Sequence, residues 1–294
     1  MSFKALAVGE ILWDLLPSGK QLGGAPANFA YHAHALGAEA RVVSRVGGDA
    51  QGREILDRLR ALSLPTDGIG VDGSAPTGTV SVKLAADGQP RFTIHENVAW
   101  DRIVADKTSL AFAAQADVVC FGSLAQRSEP SRSSVRELVA ATAAAALRVF
   151  DINLRQHFYS RDVVEESLRL ANVLKLNDAE LPVLAAMFGL GGGVRDQLAA
   201  LAQRFALRTV ALTRGARGSL LLAGDAWSEH SGLTVKVADS IGAGDAFTAA
   251  LALGLLSGRQ LDDINRHANE VAAYVCSQPG ATPILPQSLR EPMK

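Results

Sequence analysis

Short apolar runs alternate with longer amphipathic stretches along most of this chain. Six apolar runs predict buried strands, namely Ala5–Val8, Arg41–Val46, Val118–Phe121, Val149–Ile152, Val173–Leu176 and Thr209–Leu212. Four stretches with helical spacing of apolar residues predict helices, namely Ala50–Leu62, Ser131–Ala145, Asp178–Phe188 and Val194–Ala206. This alternation predicts a doubly wound α/β fold, in which helices flank a mostly parallel sheet.

One region interrupts the alternation and predicts a small β lid. Thr77–Ala85 and Pro90–Glu96 alternate apolar and polar residues on either side of Asp87-Gly88, which is typical of an antiparallel hairpin. The lid is expected to combine residues 11–23 with residues 76–99. A minor sheet of this kind exposes an apolar face unless it covers substrate or pairs with another copy, and a homodimer that forms through the lid is the expected assembly.

The loops after the predicted strands are the expected ligand site. In doubly wound folds, ligands bind beyond the carboxyl ends of the parallel strands. One crevice should therefore be lined by the loops that follow Val8, Val46, Ile152, Leu176 and Leu212. Because no long linker or repeat interrupts the pattern, residues 1–294 are expected to form a single domain with the lid inserted in it.

Residues 239–245, Asp-Ser-Ile-Gly-Ala-Gly-Asp, carry the strongest chemical signal. Gly242 and Gly244 allow the backbone to approach a ligand closely, and the apolar helical pattern Ala246–Leu256 follows at once. The free amides and positive dipole at the start of a helix favour a phosphate. Asp245 would repel that phosphate unless it accepts a proton from an attacking hydroxyl, although in isolation it would be read as a helix cap.

A second polar constellation lies near the N-terminus. Asp14 follows the first predicted strand, and Gly23-Gly24 leads through Pro26 to Asn28 at the start of another helical stretch. Pro26 suits the beginning of a helix, and the glycine pair permits close backbone approach to a ligand. A carboxylate and an amide can accept from and donate to neighbouring hydroxyls, which is what a sugar requires.

Composition narrows the possible partners. Lys and Arg number 29 against 30 Asp and Glu, and no basic stripe occurs, so nucleic acid is not an expected partner. No apolar run approaches the roughly 20 residues of a membrane helix. Cys120 and Cys276 lie far apart in apolar surroundings, so no disulfide is expected and the cytoplasm is the predicted location. The P-loop and dinucleotide glycine patterns are both absent.

The two glycine-containing signatures together resemble the ribokinase-type, or PfkB-type, carbohydrate kinase family over nearly the whole chain. The first runs from Gly23 through Asn28 to Gly52, and the second covers residues 239–245, with Ser240 where threonine is commoner. The resemblance implies a ribokinase-like fold and ATP-dependent phosphorylation of a sugar. It implies that Asp14, Gly24 and Asn28 bind the sugar, that the amides of Gly242, Ala243 and Gly244 form an anion hole, and that Asp245 is the catalytic base.

Shorter motifs between the signatures agree with this resemblance. Asn177 and Glu180 resemble the Asn-x-x-Glu element of the family, which implies a role for Asn177 at the nucleotide and for Glu180 in organising Mg²⁺ through water. The Asp-x-Asn-x-Arg pattern at residues 151–155 resembles that of fructokinases and ketodeoxygluconate kinases. It implies that Asn153 binds the sugar and that Arg155 holds phosphate or substrate oxygens.

The expected nucleotide site draws on two further segments. Thr213, Gly215 and Gly218 resemble the nucleotide-binding turn of the family, and Asn269 and Ala273 are the residues that would flank adenine. The family often uses a monovalent cation beside the anion hole, which implies that Asp239 could hold K⁺. ATP, Mg²⁺ and a possible K⁺ are thus the expected cofactors.

The identity of the acceptor stays open at the level of sequence. The residues of these motifs, taken together, resemble those of fructokinases, so D-fructose is the first choice of acceptor and 2-keto-3-deoxygluconate is the next. A nucleoside kinase ranks lower, because aromatic residues make up only 5% of the chain. A non-catalytic sugar or nucleotide sensor is a further alternative, since fold alone does not guarantee activity.

Overall fold

The computed structural model describes residues 2–16, 19–84 and 90–290. Its strands are β1 (Lys4–Val8), β2 (Leu12–Leu16), β3 (Gly19–Gly23), β4 (Glu39–Gly47), β5 (Ile69–Asp72), β6 (Gly78–Leu84), β7 (Pro90–Ile94), β8 (Val118–Phe121), β9 (Leu147–Asp151), β10 (Val173–Asn177), β11 (Thr209–Thr213), β12 (Ser219–Ala223) and β13 (Ala226–His230).

The helices connect these strands. They are α1 (Ala25–Ala35), α2 (Ala50–Ala61), α3 (Lys107–Ala113), α4 (Glu129–Ala140), α5 (Arg161–Leu170), α6 (Glu180–Phe188), α7 (Val194–Phe205), α8 (Ala243–Leu256), α9 (Leu261–Cys276) and α10 (Gln287–Arg290). Short 3₁₀ turns occur at Ala99–Arg102, Leu124–Arg127 and Gly215–Arg217. No helix in the described parts of the chain is both long and apolar enough to cross a membrane.

The described strands form two sheets. The larger has nine strands in the order β13-β12-β11-β10-β9-β8-β1-β4-β5 and is parallel except for β12 and β13. The smaller has four strands in the order β3-β2-β6-β7. The predicted doubly wound α/β fold with a small second sheet is confirmed.

Strand periodicity builds a core on each face of the large sheet. Along β1, Leu6 and Val8 pack into one apolar cluster with residues of α4 to α7, whereas Ala5 and Ala7 face a second cluster with α1, α8 and α9. Because successive side chains point to opposite faces, a central strand needs apolar residues at nearly every position. Small alanines on the second face let α8 and α1 lie close to the sheet.

Two predicted elements differ from the structure or fall outside it. The helix expected over Ser131–Ala145 begins earlier and ends at Ala140, and the alanines that follow form turns. The prediction is wrong at this end because the Thr142 hydroxyl donates to the carbonyl of Val139 and the chain turns there towards β9. The predicted Asp87-Gly88 turn lies outside the described residues, but β6 and β7 on either side are antiparallel as expected.

Candidate active site

A cavity of about 1240 Å³ lies at the carboxyl ends of the central strands. The small sheet contributes Leu12, Asp14, Leu16, Val80, Phe92 and Ile94 to its lining. Four of the five predicted loops line it, those that follow β1, β9, β10 and β11. The loop after Val46 does not, because Asp49 turns away to cap α2 and to bind the amide and hydroxyl of Thr77.

Asp245 lies in the first turn of α8 and faces this cavity. Its Oδ2 accepts a hydrogen bond of 2.8 Å from the side-chain amide of Asn28 on α1. Burial and the charge of Asp151 raise the pKa of Asp245 to about 6, against the lowering influence of Asn28, Lys175 and Arg155. The carboxylate is therefore oriented by Asn28 and ready to hold a proton near neutral pH.

Gly242 starts α8 in a conformation that disfavours other residues. Its φ is +79°, and a Cβ there would lie 2.5 Å from the carbonyl oxygen of Ala281. The glycine thus lets the loop around residue 281 pack directly behind the first amides of the helix. Those amides are left facing the cavity, where they can bind an anion.

Gly242→Ala is expected to destabilise the protein and to weaken turnover together. The left-handed conformation costs about 1–3 kcal/mol in a non-glycine residue, and the clash with Ala281 must also move the anion-binding amides. Gly258→Ala is a matched control, because Gly258 has φ +65° but no atom within 4 Å of the added Cβ. Thermal unfolding and kcat measured on both variants should show a loss of turnover only at Gly242; equal turnover would contradict a specific role for this turn.

Beneath the start of α8 lies a buried ion pair. Lys175 and Asp151 are register partners on β10 and β9, and Nζ of Lys175 is 3.0 Å from Oδ1 of Asp151. The hydroxyl of Thr248, one turn along α8, donates to Oδ2 of Asp151 at 2.9 Å. Lys175 Nζ also lies 3.1 Å from where a Cβ on Gly244 would stand. The ammonium group therefore places a positive charge directly under the turn that starts α8.

The residues predicted to bind the sugar meet at one end of the cavity. Asp14, Gly24, Asn28, Asn153 and Arg155 all line it. Burial raises the pKa of Asp14 to about 6, with Arg155 lowering it and Asp239 raising it. Asn153 has a φ of +46°, so the chain turns sharply after β9 and brings the exposed Arg155 to the cavity. This end is rich in carboxylates and faces a guanidinium group.

The residues predicted to bind the nucleotide line the other end. Asn177, Thr213, Gly215, Gly218, Asn269 and Ala273 all contribute to the same cavity. The side-chain amide of Asn269 donates to the hydroxyl of Ser219 at 2.7 Å and to the carbonyl of Asn265 at 2.8 Å. Asn269 thus links α9 to β12 and fixes the position of this side of the cavity.

Glu180 and Asp239 are not among the residues that line the cavity. The two carboxylate oxygens of Glu180 accept the backbone amides of Leu154 at 2.9 Å and Asn177 at 2.8 Å. Asp239 accepts the amides of Ile241 at 3.0 Å and Gly280 at 3.3 Å. Both carboxylates therefore hold loops behind the site, and any influence on a bound cation would pass through those loops or through water.

Two buried charged residues of the cavity were absent from the predicted site. Lys175 lies between two leucines in β10, and Glu10 comes after the buried β1. Both residues line the cavity and both are buried. A charged residue inside or directly after a fully buried strand is costly unless it is paired or functional. That mismatch is the signal by which sequence alone could have singled out both residues.

Comparison with known proteins identifies the family. The sequence profile of the pfkB family carbohydrate kinases matches residues 18–288. This chain belongs to the pfkB family of carbohydrate kinases. It is therefore an ATP-dependent carbohydrate kinase, as its two signatures predicted, and the cavity described above is the candidate active site of this kinase.

Relatives of this kinase include sugar kinases and fructokinases. A Pyrococcus horikoshii protein described as an uncharacterised sugar kinase is 30% identical over 94% of this chain and 90% of its own; its structure in complex with ATP matches with a TM-score of 0.80. Fructokinase-1 of Zea mays is 28% identical over 96% of this chain and 94% of its own. A Vibrio cholerae fructokinase, solved with fructose, ADP and calcium, is 28% identical with a TM-score of 0.81, covering 98% of this chain and 97% of its own.

Proposed function

We propose that this kinase transfers the γ-phosphoryl group of ATP to a hydroxyl of D-fructose, with Asp245 as the catalytic base. The observation that supports it is the position of Asp245, in the first turn of α8, oriented by Asn28 and facing a cavity that also receives Asp14 and Arg155. Relatives named fructokinase, at 28–30% identity over most of the chain, favour fructose as the acceptor.

The reaction assigns a role to each group at the start of α8. Asp245 removes the proton of the attacking hydroxyl as that oxygen approaches the γ-phosphorus, and Asn28 holds the carboxylate in position. The amides of Gly242, Ala243 and Gly244, with Lys175 beneath them, stabilise the charge that develops on the phosphoryl oxygens. Arg155 adds a cation at the mouth of the site, and the small sheet acts as a lid, from residues 11–23 and 76–99, that excludes water.

Magnesium fits this site as an ion held chiefly by the nucleotide. Within the described residues, no group of three or more His, Cys, Asp or Glu side chains could hold a metal. Mg²⁺ takes few protein ligands and keeps several waters, and Glu180 would orient those waters indirectly. When bound, the ion neutralises phosphate charge. Asp239 could favour K⁺ by ordering the loop at residues 239–241, where carbonyl oxygens would be the ligands.

A homodimer that forms through the lid, and a location in the cytoplasm, are further parts of the proposal. Among the described residues, β3 and β7 are the edge strands of the small sheet, and a second copy that pairs with such an edge would cover its free backbone groups. A monomer mass in analytical ultracentrifugation at micromolar concentration would refute the dimer.

The decisive experiment is a panel of acceptors assayed by ADP release from Mg·ATP. D-fructose, 2-keto-3-deoxygluconate, ribose, tagatose, glucose and adenosine would be compared, with the rate in the absence of sugar subtracted. We expect the highest kcat/KM with fructose. Preferred turnover of 2-keto-3-deoxygluconate would reassign the substrate, and Arg155 would then be the partner of the sugar carboxylate. Binding of ATP with no turnover of any acceptor would favour a sensor.

A further inference from the structure

Two buried oxygen atoms at the sugar end of the cavity lack hydrogen-bond partners. They are Oε2 of Glu10 and Oδ1 of Asn28, and each residue is only 3% exposed. Both residues line the cavity. Buried polar atoms in proteins are nearly always paired, so two unpaired acceptors beside the same cavity point to a missing ligand with hydrogen-bond donors.

The fold holds Glu10 firmly in this position. Glu10 lies two residues after the end of β1, and a Cβ on Gly24 would lie 2.5 Å from the carbonyl oxygen of Glu10, so the two chain segments are in contact. The backbone amides of Glu10 and Ala25 stabilise the ionised carboxylate. Burial and the charge of Asp245 outweigh them and raise the pKa of Glu10 to about 7. The side chain is thus anchored by its backbone neighbours while Oε2 has no hydrogen-bond partner.

The charges around Glu10 restrict the kind of donor. Asp245 is the acid whose charge raises the pKa of Glu10, and the charge of Arg155 lowers the pKa of both. Asp14 lines the same cavity. A ligand carboxylate placed beside Glu10 would be repelled by Glu10 and by Asp245 when these are ionised. Hydroxyl groups, in contrast, donate to a carboxylate or an amide oxygen without adding charge.

We propose that Glu10 is a specificity-determining residue that accepts a hydrogen bond from an acceptor hydroxyl, beside a second hydroxyl on Oδ1 of Asn28, so that the site selects neutral polyols over sugar acids. This inference rests on the proposed kinase function and names the substrate class of the same site. Asn28 was already expected to bind sugar; the assignment of Glu10 and the exclusion of sugar acids are new.

The test is a cycle of enzyme and ligand changes measured by calorimetry in the presence of a non-hydrolysable ATP analogue. The probes are D-fructose, the fructoses that each lack one hydroxyl, and 2-keto-3-deoxygluconate. In the wild type, one deoxy analogue should bind about 10- to 100-fold more weakly than fructose, as expected for loss of a hydrogen bond to a charged group. Glu10→Ala should weaken the binding of fructose by a similar factor, but it should hardly weaken the binding of that deoxy analogue further. If the losses of affinity from the two changes add, the proposal is overturned.

Glu10→Gln separates charge from packing. It keeps the shape of the side chain and removes its charge, so the preference for fructose over 2-keto-3-deoxygluconate should shrink by about tenfold or more without a lower melting temperature. Glu39→Gln, the same change at an exposed position at the far end of β4, should leave the preference intact. An unchanged preference in Glu10→Gln, or tighter binding of the acid by the wild type, would contradict the selection of neutral sugars.

The outcomes distinguish this proposal from the proposed reaction. If fructose binds and the affinity losses in the cycle are not additive, but no ADP is released from Mg·ATP, the fructokinase reaction is refuted and the role of Glu10 is supported. If ADP is released and the affinity losses are additive, the reaction is supported and the proposed role of Glu10 is refuted. If fructose neither binds nor reacts, both proposals fail.

Discussion

Asp245→Asn is expected to lower kcat with fructose by about 10³-fold while leaving the affinity for ATP almost unchanged. The amide preserves the shape of the side chain and can still accept a hydrogen bond from Asn28, whose Nδ2 lies 2.8 Å from Oδ2 of Asp245 in the wild type. What it loses is the ability to take a proton from the attacking hydroxyl. Steady-state turnover and nucleotide titration of the same preparation would measure the two effects separately.

The wild-type activity should depend on pH through the same carboxylate. With its pKa raised to about 6, Asp245 is active as a base only when ionised, so log kcat should rise with pH and level off above about 7. Folding favours its protonated form, since the pKa in the folded protein exceeds the ordinary value of 3.8. The stability that this provides is complete below about pH 4 and is lost as pH rises through about 6.

Because ionisation of Asp245 costs stability, Asp245→Asn should gain stability at high pH although it loses turnover. At pH 8 the buried charge of Asp245 is expected to lower the free energy of unfolding by about 2–3 kcal/mol relative to a neutral amide. Asp245→Asn should therefore melt at a higher temperature than the wild type at pH 8 and at a similar one at pH 4. Asp262→Asn, the same change in the first turn of α9 at an exposed position, should alter neither turnover nor this pH dependence. Turnover of Asp245→Asn within tenfold of the wild type would show that Asp245 is not the base.

The glycine signatures made much of this site predictable from sequence, because local chemistry determined it. Gly242 has a positive φ at the start of α8, and the helix that follows leaves its first amides free, so this turn was predictable without tertiary information; its binding of an anion is part of the proposal. The fold class followed in the same way from strand and helix periodicity. What those patterns could not give was the direction in which a polar side chain leaves its backbone.

Glu180 illustrates that limit. The resemblance implied that Glu180 organises Mg²⁺ through water, and the structure adds that Oδ1 of Asn177 accepts the amide of Glu180 while Glu180 accepts the amide of Asn177 in return. These reciprocal bonds, with a third from the amide of Leu154, turn the carboxylate away from the cavity. The ion pair of Lys175 with Asp151 was equally hidden, since it depends on β9 and β10 being neighbours in register.

Lys175→Met is expected to have the second largest effect, because it leaves a buried carboxylate without its partner. Removal of one member of a buried ion pair typically costs about 3–5 kcal/mol of stability. Burial alone would lower the pKa of Lys175, but Asp151, Glu180 and Asp245 together raise it. The ammonium therefore contributes its full stability below about pH 10 and loses it only as pH rises through the raised pKa. Chemical denaturation at pH 7 would measure the loss.

The variant should also change catalysis in a way that a purely structural lysine would not. Since Lys175 lowers the pKa of Asp245, its removal should move the midpoint of the kcat–pH profile to higher pH. Arg127→Met breaks an equally buried ion pair with Asp101; the two side chains are 6% and 9% exposed, and Arg127 contacts Trp100. Neither residue is among the groups that shift the pKa of Asp245. Arg127→Met should cost similar stability and leave that midpoint unchanged. A shared shift in both variants would refute the electrostatic role.

A double variant separates the buried charge of Asp151 from the contribution of Lys175 to the anion-binding turn. Lys175→Met with Asp151→Leu removes both charges, and the hydroxyl of Thr248 keeps an acceptor in the carbonyl of Gly244 at 2.9 Å. Replacement of a buried pair by apolar residues is often neutral or stabilising, so most of the lost stability should return. Turnover should remain low, because no positive charge would then lie beneath Gly244 to meet the transferred phosphoryl group. Recovery of both properties together would mean that Lys175 acts only by neutralising Asp151.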